Sequence, residues 1–432
     1  MGVCIMKIYL SHLISFCLIF CFTLTACTKI PPQNTEAPQS TSPKNEVSEQ
    51  TAPKNEKYAE ALSLIEKKDY GTAYAILKSL GDYEDVAKYL SRLRTVPTSV
   101  TITNQGKEEF FYNENGLLSK HISIDEYGRK DIAEFTYDQN NNLLQEHGTS
   151  HTGAQTYVDY TYNENGNLIC KKITNANGSQ YIEKSAYDQN DRLLRMTVTY
   201  ADGKKTVTDY IYDTNGYLVR NLQTGPNAGD FATINYIYDH NGNLIQKHSV
   251  CTYTTDNGSL QSAESIWECD YDAKDNPTME AHTDIRPEGD LKNIIEYTYD
   301  SNGNLTRKVT TDIFSHAVNS PLHQSTVRNY IYDENGFVIQ MDLTDNQGIK
   351  SIFTFDYDKD GNMVKETAGQ RVDLCTYDES GNMTKLLRTF EDGTSFSVES
   401  PHQWVYLPEK LPEATEIFLA GYFNRNYRTP IF

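Results

Sequence analysis

The sequence has little tryptophan and none of the short motifs that mark common catalytic or metal sites. Only Trp267 and Trp404 occur among 432 residues. The ten histidines are scattered, and HExxH, CxxC and GxSxG motifs are absent, so nothing points to a metalloprotease, a redox pair or a serine hydrolase. Basic residues are also outnumbered, 39 against 59 acidic, and the formal charge of −20 disfavours nucleic acid and anionic lipid as partners.

What the sequence has in abundance is one repeated segment, of which YTYNENGNLICK (160–171) is the clearest copy. Eleven copies are built on an anchor tyrosine followed by Asp or Asn, at intervals of 20 to 33 residues. Self-similarity of this kind predicts a repeat architecture, in which each unit buries its apolar face only against its neighbours. The anchors are Tyr112, Tyr137, Tyr162, Tyr187, Tyr212, Tyr238, Tyr271, Tyr299, Tyr332, Tyr357 and Tyr377.

Four residues after each anchor the sequence has Gly in eight copies and Asn141, Asp191 or Asp275 in the others. These residue types tolerate positive φ, so we predict a type I turn that leads into a bulge and closes a β-hairpin. The turn places each anchor opposite the residue six positions later, which is aliphatic in ten copies. The same register would pair the residue before the anchor with the one seven after it, as in Ile211 with Val219.

Aromatic residues also recur two positions before the anchor, so one face of the predicted sheet carries a double aromatic row. Second turns such as NANGS (175–179) join one hairpin to the next in an antiparallel meander. Open sheets rarely exceed ~10 strands without curling, and this one would have about twenty-two. We therefore predict a mainly β fold over residues 100–399: an antiparallel hairpin array rolled into a curved shell or superhelical trough, with tyrosine and leucine rows inward.

The repeated segments resemble the YD repeats of the RHS family, which read approximately YDxxGRL. The resemblance extends from Phe110 to about Leu387. It implies a β-shell similar to those that enclose a toxin or display receptor-binding domains in related proteins. Arginine follows the glycine position only at Arg192, where other copies usually have Asn, and the DPxGL-type motif that ends toxin-delivering shells is absent.

The N-terminal residues predict a bacterial lipoprotein. Residues 1–26 combine a single basic residue with an apolar run, and LTAC (24–27) resembles a lipobox. Lipid on the Cys27 thiol, after cleavage before it, would anchor the mature chain outside the cytoplasmic membrane. An uncleaved signal anchor is the alternative, and Met6 is an alternative start to Met1.

Three further segments flank the array. Residues 27–53, dominated by Pro, Ser, Thr, Gln and Glu, predict a disordered tether. Residues 54–95 have a helical apolar period and resemble a tetratricopeptide-like unit, for which we predict a cap on the first hairpin, with a peptide-binding module as the alternative. Within it, Gly81 predicts a helix end and Asp82 the next helix start. Residues 400–432 predict a C-terminal cap, with a partner-docking segment as the alternative.

Few side chains suggest chemistry of their own. Cys269 replaces an aromatic residue two positions before its anchor, which predicts a buried core residue, with a disulfide to Cys251 as the alternative. His147 and His151 have a metal-ligand spacing but fall in a predicted loop. The turn aspartates suggest calcium, yet their spacing differs from a calcium-binding loop. We therefore predict no catalytic residue, no metal site and no cofactor.

Three long intervals between the sixth and ninth anchors add residues to the array. Insertions on a rigid scaffold commonly carry binding sites. The inserted stretches lie around residues 253–267, 282–293 and 314–328. The candidate binding residues, in these stretches and near the C terminus, are Tyr253, Trp267 and Trp404.

Together, these observations predict a surface-tethered, non-enzymatic lipoprotein that binds an envelope glycan or a protein partner, with no role for nucleic acid. The tyrosine rows invite sugar stacking, but most of them share a face with the leucines and are predicted to be core. A glycan hydrolase with paired carboxylates in the trough is one alternative. A shell that shelters or presents a polypeptide, as in longer family members, is the other.

Overall fold

The computed structural model describes residues 51–102, 105–255, 257–285, 289–314, 322–378 and 381–407. The predicted signal peptide, Cys27 and most of the predicted tether lie outside the described residues, as does the predicted C-terminal cap from residue 408 onward. The described part of the chain begins with three helices, which are α1 (Thr51–Glu66), α2 (Tyr70–Leu80) and α3 (Val86–Arg92). None of the described helices is long and apolar enough to cross a membrane.

Strands make up most of the remaining described chain. They are β1 (Leu93–Pro97), β2 (Ser99–Ile102), β3 (Gly106–Tyr112), β4 (Leu118–Asp125), β5 (Lys130–Tyr137), β6 (Leu143–Thr149), β7 (Gln155–Tyr162), β8 (Leu168–Thr174), β9 (Gln180–Tyr187), β10 (Leu193–Thr199), β11 (Lys205–Tyr212), β12 (Leu218–Thr224), β13 (Phe231–Tyr238), β14 (Leu244–Thr254), β15 (Leu260–Tyr271), β16 (Pro277–Ile285), β17 (Leu291–Tyr299), β18 (Leu305–Phe314), β19 (Leu322–Tyr332), β20 (Val338–Thr344), β21 (Lys350–Tyr357), β22 (Met363–Ala368), β23 (Arg371–Tyr377), β24 (Met383–Thr389), β25 (Ser395–Glu399) and β26 (His402–Tyr406).

The helices pack on one another around a small apolar core. Ala61, Leu77 and Val86 are fully buried there, and several tyrosines pack against them. Asp69 caps α2 by accepting a hydrogen bond from the Thr72 N–H at 3.3 Å. Gly81 has a φ of +64° just after α2, so the predicted helix end is confirmed. The predicted start at Asp82 is wrong, because a turn separates it from α3, which begins after Asp85.

Strands β2 to β25 form a closed barrel of antiparallel hairpins. The mainly β, antiparallel hairpin array with helices at its N-terminal side is confirmed, but the open trough is wrong. The sheet curls until its first and last strands meet, where Thr101 pairs with Glu399 and Ile102 with Val398. Closure removes the two free edges that an open array would leave exposed. Near this seam, Val100, Phe110, Leu118, Phe135 and Leu143 form a buried cluster.

A second pairing secures the seam. Strand β1 pairs with β26 over five residues, from Leu93 with Tyr406 to Pro97 with His402. We call this two-stranded sheet the clasp, because its strands immediately precede β2 and follow β25. Arg92, at the end of α3, donates from Nε to the Leu407 carbonyl at 2.8 Å and accepts from the Leu407 N–H at 2.9 Å. The clasp therefore joins the strand before the barrel to the strand after it, beside the point of closure.

The predicted turns are confirmed by their backbone. All eight glycines at the fourth position after the anchor have positive φ, and so do Asn141, Asp191 and Asp275. The Asp or Asn after the anchor caps the turn: Asp138 Oδ1 accepts the N–H groups of Asn140 and Asn142 at 2.8 and 2.9 Å. In seven copies the side chain after the glycine position then donates to the second oxygen of the same carboxylate.

This last contact explains the departure from the YDxxGRL pattern. Asn142 donates from Nδ2 to Asp138 Oδ2 at 2.8 Å, and Arg192 donates from Nε to Asp188 Oδ2 at 2.7 Å. Asparagine therefore makes the contact that arginine makes in the one copy that has it.

The caps predict acid sensitivity. Backbone N–H groups hold the pKa of Asp188, Asp272 and Asp300 below the usual value. A carboxylate whose pKa is lowered by folding contributes stability above its unfolded pKa of about 4, and this is lost as pH falls through the lower folded pKa. We expect the urea midpoint to fall below about pH 4.

Two natural copies supply the control for this prediction. Asn113 and Asn163 cap their turns without a titrating group. Changing Asp188, Asp272 and Asp300 together to Asn should flatten the pH dependence of the urea midpoint. An unchanged acid response in this variant would contradict the assignment.

The predicted hairpin register is confirmed for the anchor residue, but the pairing predicted for the residue before the anchor is wrong. Tyr212 pairs with Leu218 as predicted, but Ile211 pairs with Arg220 and not with Val219. The extra residue is a β-bulge next to the turn, in which two residues oppose one. The same shift occurs in the other hairpins whose pairing across the anchor is described.

The anchor hydroxyls form a ladder around the barrel. Nine of them donate to the carbonyl of the residue six positions after the anchor of the preceding copy, as Tyr137 does to Leu118 and Tyr162 to Leu143, at 2.8 and 2.9 Å. The first copy has no predecessor, and Tyr112 donates to Pro97 in the clasp at 2.8 Å. The others that make this bond are Tyr187, Tyr212, Tyr271, Tyr299, Tyr332, Tyr357 and Tyr377.

This ladder predicts the cost of removing one hydroxyl. Tyr137→Phe leaves the Leu118 carbonyl without its donor, so we expect the free energy of unfolding to fall by about 1 kcal/mol. Urea denaturation measures it. Tyr127→Phe, at a side chain that is 74% exposed, is the control and should change nothing. Equal effects of the two substitutions would show that the ladder does not stabilise the barrel.

The two faces of the sheet differ in burial. We call the side that carries the anchors the tyrosine face. There, Phe110, Phe135 and Leu386 are 3%, 4% and 0% exposed, whereas Phe111 and Leu374 on the opposite face are 46% and 44% exposed. Inward-pointing side chains converge in a closed barrel, so we infer that the tyrosine face lines its inside.

Candidate functional site

The strands that lie in the three long intervals of the repeat are longer than those of the earlier copies. Strands β14 to β19 have 9 to 12 residues, against seven or eight in β5 to β13. Each extra register pair adds about 3.3 Å of strand. We call β14–β19 the wall, because these six consecutive strands extend further than the others. The inserted residues that the structure describes therefore lie mostly on a hydrogen-bonded sheet.

A straight row of side chains crosses the wall on the tyrosine face. Lys247 pairs with Trp267, and Trp267 pairs in turn with His282 on the next strand. The row continues through the next strands with Asn293, Asp312 and Gln324. Six strands about 4.8 Å apart give it a length of roughly 24 Å. We call these six residues the wall row.

The wall row is polar and reachable by solvent. None of its members is buried, and none is aliphatic. Asn293 donates from Nδ2 to Asp312 Oδ1 at 2.8 Å, which fixes both side chains across β17 and β18. The His282 Nε2 lies 3.6 Å from an oxygen of Asp284. The row therefore offers hydrogen-bond donors and acceptors along its whole length.

Trp267 occupies an open position in this row. Its neighbours along the strand on the same face are Ser265 and Cys269, both small. Among the described residues, the indole makes no hydrogen bond and no ring contact, although it is half-buried. An aromatic ring held on a rigid sheet without a partner of its own is available for stacking.

The three predicted binding residues are not brought together. Tyr253 lies on the same face as Trp267 and pairs with Gln261. It is six residues along β14 from Lys247, which places it about 20 Å from the wall row. The Tyr253 hydroxyl donates a hydrogen bond to Gln261 Oε1 at 3.1 Å. Trp404 lies on β26 in the clasp, opposite Thr95. Of the three, Trp267 alone belongs to the wall row.

Carboxylates also meet on the tyrosine face, as the hydrolase alternative requires, at Glu366 and Asp373. They pair directly across β22 and β23 and are 7% and 1% exposed. Arg388 holds Asp373 with two hydrogen bonds of 2.7 and 2.5 Å, and Arg371 contacts both carboxylates. These carboxylates are occupied by guanidinium groups, so the pair serves as a buried ion cluster and not as an acid and a base.

The cysteine and histidine predictions have different outcomes. Cys269 is buried, as predicted, and so is Cys375, which also lies two positions before its anchor. The Cys251–Cys269 disulfide is wrong, because Cys251 pairs with Ala263, six residues along the strand from Cys269, and neither cysteine is in a disulfide.

The predicted loop position of the two histidines is wrong for one of them. His147 lies on strand β6 and stacks on Tyr157 with ring centroids 4.5 Å apart. His151 binds Asp131 through its backbone N–H at 2.7 Å. Across the described ranges, no three His, Cys, Asp or Glu side chains are grouped as a metal site.

Comparisons with known proteins bear on the repeat. The solved structures with similarity include a porin-like protein from Bacteroides vulgatus ATCC 8482, 13% identical, with 55% of this chain and 97% of that chain covered and a TM-score of 0.25. A porin-like protein from Bacteroides uniformis ATCC 8492 is 10% identical, with coverages of 71% and 96% and a TM-score of 0.20. At these TM-scores neither likeness supports an argument about this chain.

The sequence comparisons are more specific. No curated protein matches the chain. The family model described as Teneurin YD-shell matches residues 78–256, which include the first six anchors. This match confirms, over residues 78–256, the resemblance to the RHS/YD-repeat family that the repeated Tyr-Asp and Tyr-Asn segments indicate.

Proposed function

We propose that this protein is a surface-tethered, non-enzymatic lipoprotein that binds an envelope component, a glycan or a protein partner, through the tyrosine face of the wall. The wall row is the observation that supports this most strongly. Six neighbouring strands hold six polar or aromatic side chains in line, and a rigid sheet positions such a set more accurately than loops do. In the rest of the barrel, the anchor tyrosines serve the structure, because their hydroxyls donate hydrogen bonds to the preceding hairpin.

The proposed location outside the cytoplasmic membrane rests on the sequence. LTAC (24–27) provides the lipid attachment at Cys27. The polar stretch that follows would hold the folded part of the chain away from the membrane surface. An array held near the cell wall in this way would meet its ligand without diffusing to it, because tethering raises the local concentration.

Closure of the barrel supports one other candidate function, a shell that encloses a polypeptide. In that case the ligand would be protected from protease while bound and would contact the tyrosine face at many copies. The wall-based proposal expects contact at β14–β19 only.

A capture experiment tests the proposal. Purified residues 27–432, immobilised through the N terminus, are incubated with cell-wall sacculi and, in parallel, with solubilised surface proteins. We expect retention of one of these fractions, lost when Trp267, Asn293 and Gln324 are changed together to Ala. The matched control is Glu268→Ala, on the same strand but the opposite face. Retention of neither fraction, or retention that the triple variant leaves intact, would overturn the proposal.

A further inference from the structure

We infer that the wall row binds an extended, uncharged glycan chain that lies across the strands, with one sugar stacked on Trp267; this inference rests on the function proposed above. The row runs perpendicular to the strands for roughly 24 Å, one side chain per strand. A ligand that uses all six positions must therefore be linear and must follow the circumference of the barrel.

The side chains of the row match sugar chemistry. Indole rings present a flat apolar surface that can cover the C–H face of a sugar ring. Asn293, Asp312 and Gln324 offer amide donors and carboxylate or amide acceptors, which suit hydroxyl and acetamido groups. Ser249 and Ser265 flank the row on the side of the turn that connects β14 to β15. Thr310 and Thr326 flank it on the side of the anchors, so further hydroxyl groups line the proposed path.

A peptide ligand fits the wall less well. Extended peptides usually add a strand to an open sheet edge, and the closed barrel has none between β14 and β19. Helical peptides need an apolar groove, whereas the six row positions contain no aliphatic side chain. The stacking and hydrogen-bonding groups are instead spread evenly along a line.

A polyanion is also disfavoured. Lys247 is the one permanently charged cation of the row, and Asp312 carries the opposite charge. The chain as a whole has a formal charge of −20, which repels phosphate-rich polymers. An uncharged chain, such as one built from N-acetylhexosamines, avoids this repulsion and retains every hydrogen bond described above.

Titration with soluble oligosaccharides tests the inference. N-acetylglucosamine oligomers of increasing length are added to residues 27–432, and binding is followed by calorimetry. We expect affinity to rise with each added sugar and then to level off, because the row has a fixed length. Trp267→Ala should weaken binding of the longest oligomer about tenfold, since a stacked ring contributes on the order of 1.4 kcal/mol.

The controls separate stacking from folding. Trp267→Phe should restore part of the affinity, whereas Glu268→Ala, on the opposite face, should leave it unchanged. Far-ultraviolet circular dichroism checks that each variant retains its strands. Binding that does not depend on oligomer length, or that survives Trp267→Ala, would overturn the inference.

The outcomes distinguish this inference from the proposed function. If surface proteins are captured through the wall but no oligosaccharide binds, the glycan assignment fails and the binding function stands. If sacculi are captured through the wall but soluble glycan chains do not bind, the ligand is another wall component, and the inference fails in the same way. If neither fraction is captured and no oligosaccharide binds, both fail.

Discussion

Replacing Asp373 with Ala is expected to lower the free energy of unfolding by about 3–5 kcal/mol, the cost of leaving a buried charge without its partner. Asp373 is 1% exposed and accepts two hydrogen bonds from Arg388. The substitution therefore leaves that guanidinium buried inside the barrel without its carboxylate partner. Arg371 would retain Glu366 as a partner. Urea denaturation followed by circular dichroism measures the change.

An exposed pair with the same chemistry is the control. Arg195 also makes two hydrogen bonds to an aspartate across two strands, at Asp209, but on the opposite face and in solvent. Asp209→Ala should cost only about 0–1 kcal/mol. Equal losses at Asp373 and Asp209 would show that burial of the ion cluster contributes nothing. Replacing Asp373 with Leu and Arg388 with Met together should recover most of the loss, because no charge is then left unpaired.

A second large effect is expected in the clasp. Val405 is 5% exposed and packs against the turn of the β3/β4 hairpin, where a Cβ added to Gly116 would lie 2.9 Å from the Val405 Cβ. Val405→Asp places a charge in this contact, and we expect a loss of about 3 kcal/mol. Among the residues that the structure describes, the seam has two register pairs of its own. Without the clasp it should open first.

Hydrogen exchange locates this effect. Amide exchange should accelerate in β1, β2, β25 and β26 in the Val405→Asp variant, while β7 to β12 on the barrel retain their protection. Gln403→Asp, at an exposed position on the same strand, is the control and should leave exchange unchanged. A uniform acceleration around the whole barrel would contradict a local role for the clasp.

The sequence predicted the hairpins because their determinants are local. Positive φ at Asn141, Asp191 and Asp275 follows from the turn alone, and the pairing of each anchor with the residue six positions later follows from the turn length. The bulge after that pair was missed because Val219 and Arg220 are both compatible with a strand. Closure was missed because it depends on how curvature accumulates over all the strands, which no single copy encodes.

The wall row was only partly predictable. Trp267 could be chosen because tryptophan is rare, but His282, Asn293 and Asp312 carry no local signal. They are found by counting cross-strand pairs from one hairpin to the next, and that count needs the connecting turns. The turn after β14 contains Asn257 and Gly258, whereas the connection after β16 has no Asn-Gly turn from which to count. Trp404 was chosen for its residue type alone, and the clasp holds it on a separate sheet.

The tyrosine ladder has a direction, and this gives the barrel an order of assembly. In nine copies after the first, the anchor hydroxyl bonds to a carbonyl that lies earlier in the chain, and Tyr112 bonds to β1, before the first copy. A chain that emerges N-terminus first thus presents each acceptor before the donor that needs it. Hairpins can be added one at a time, each completed without waiting for its successor, until β25 meets β2 and β26 meets β1.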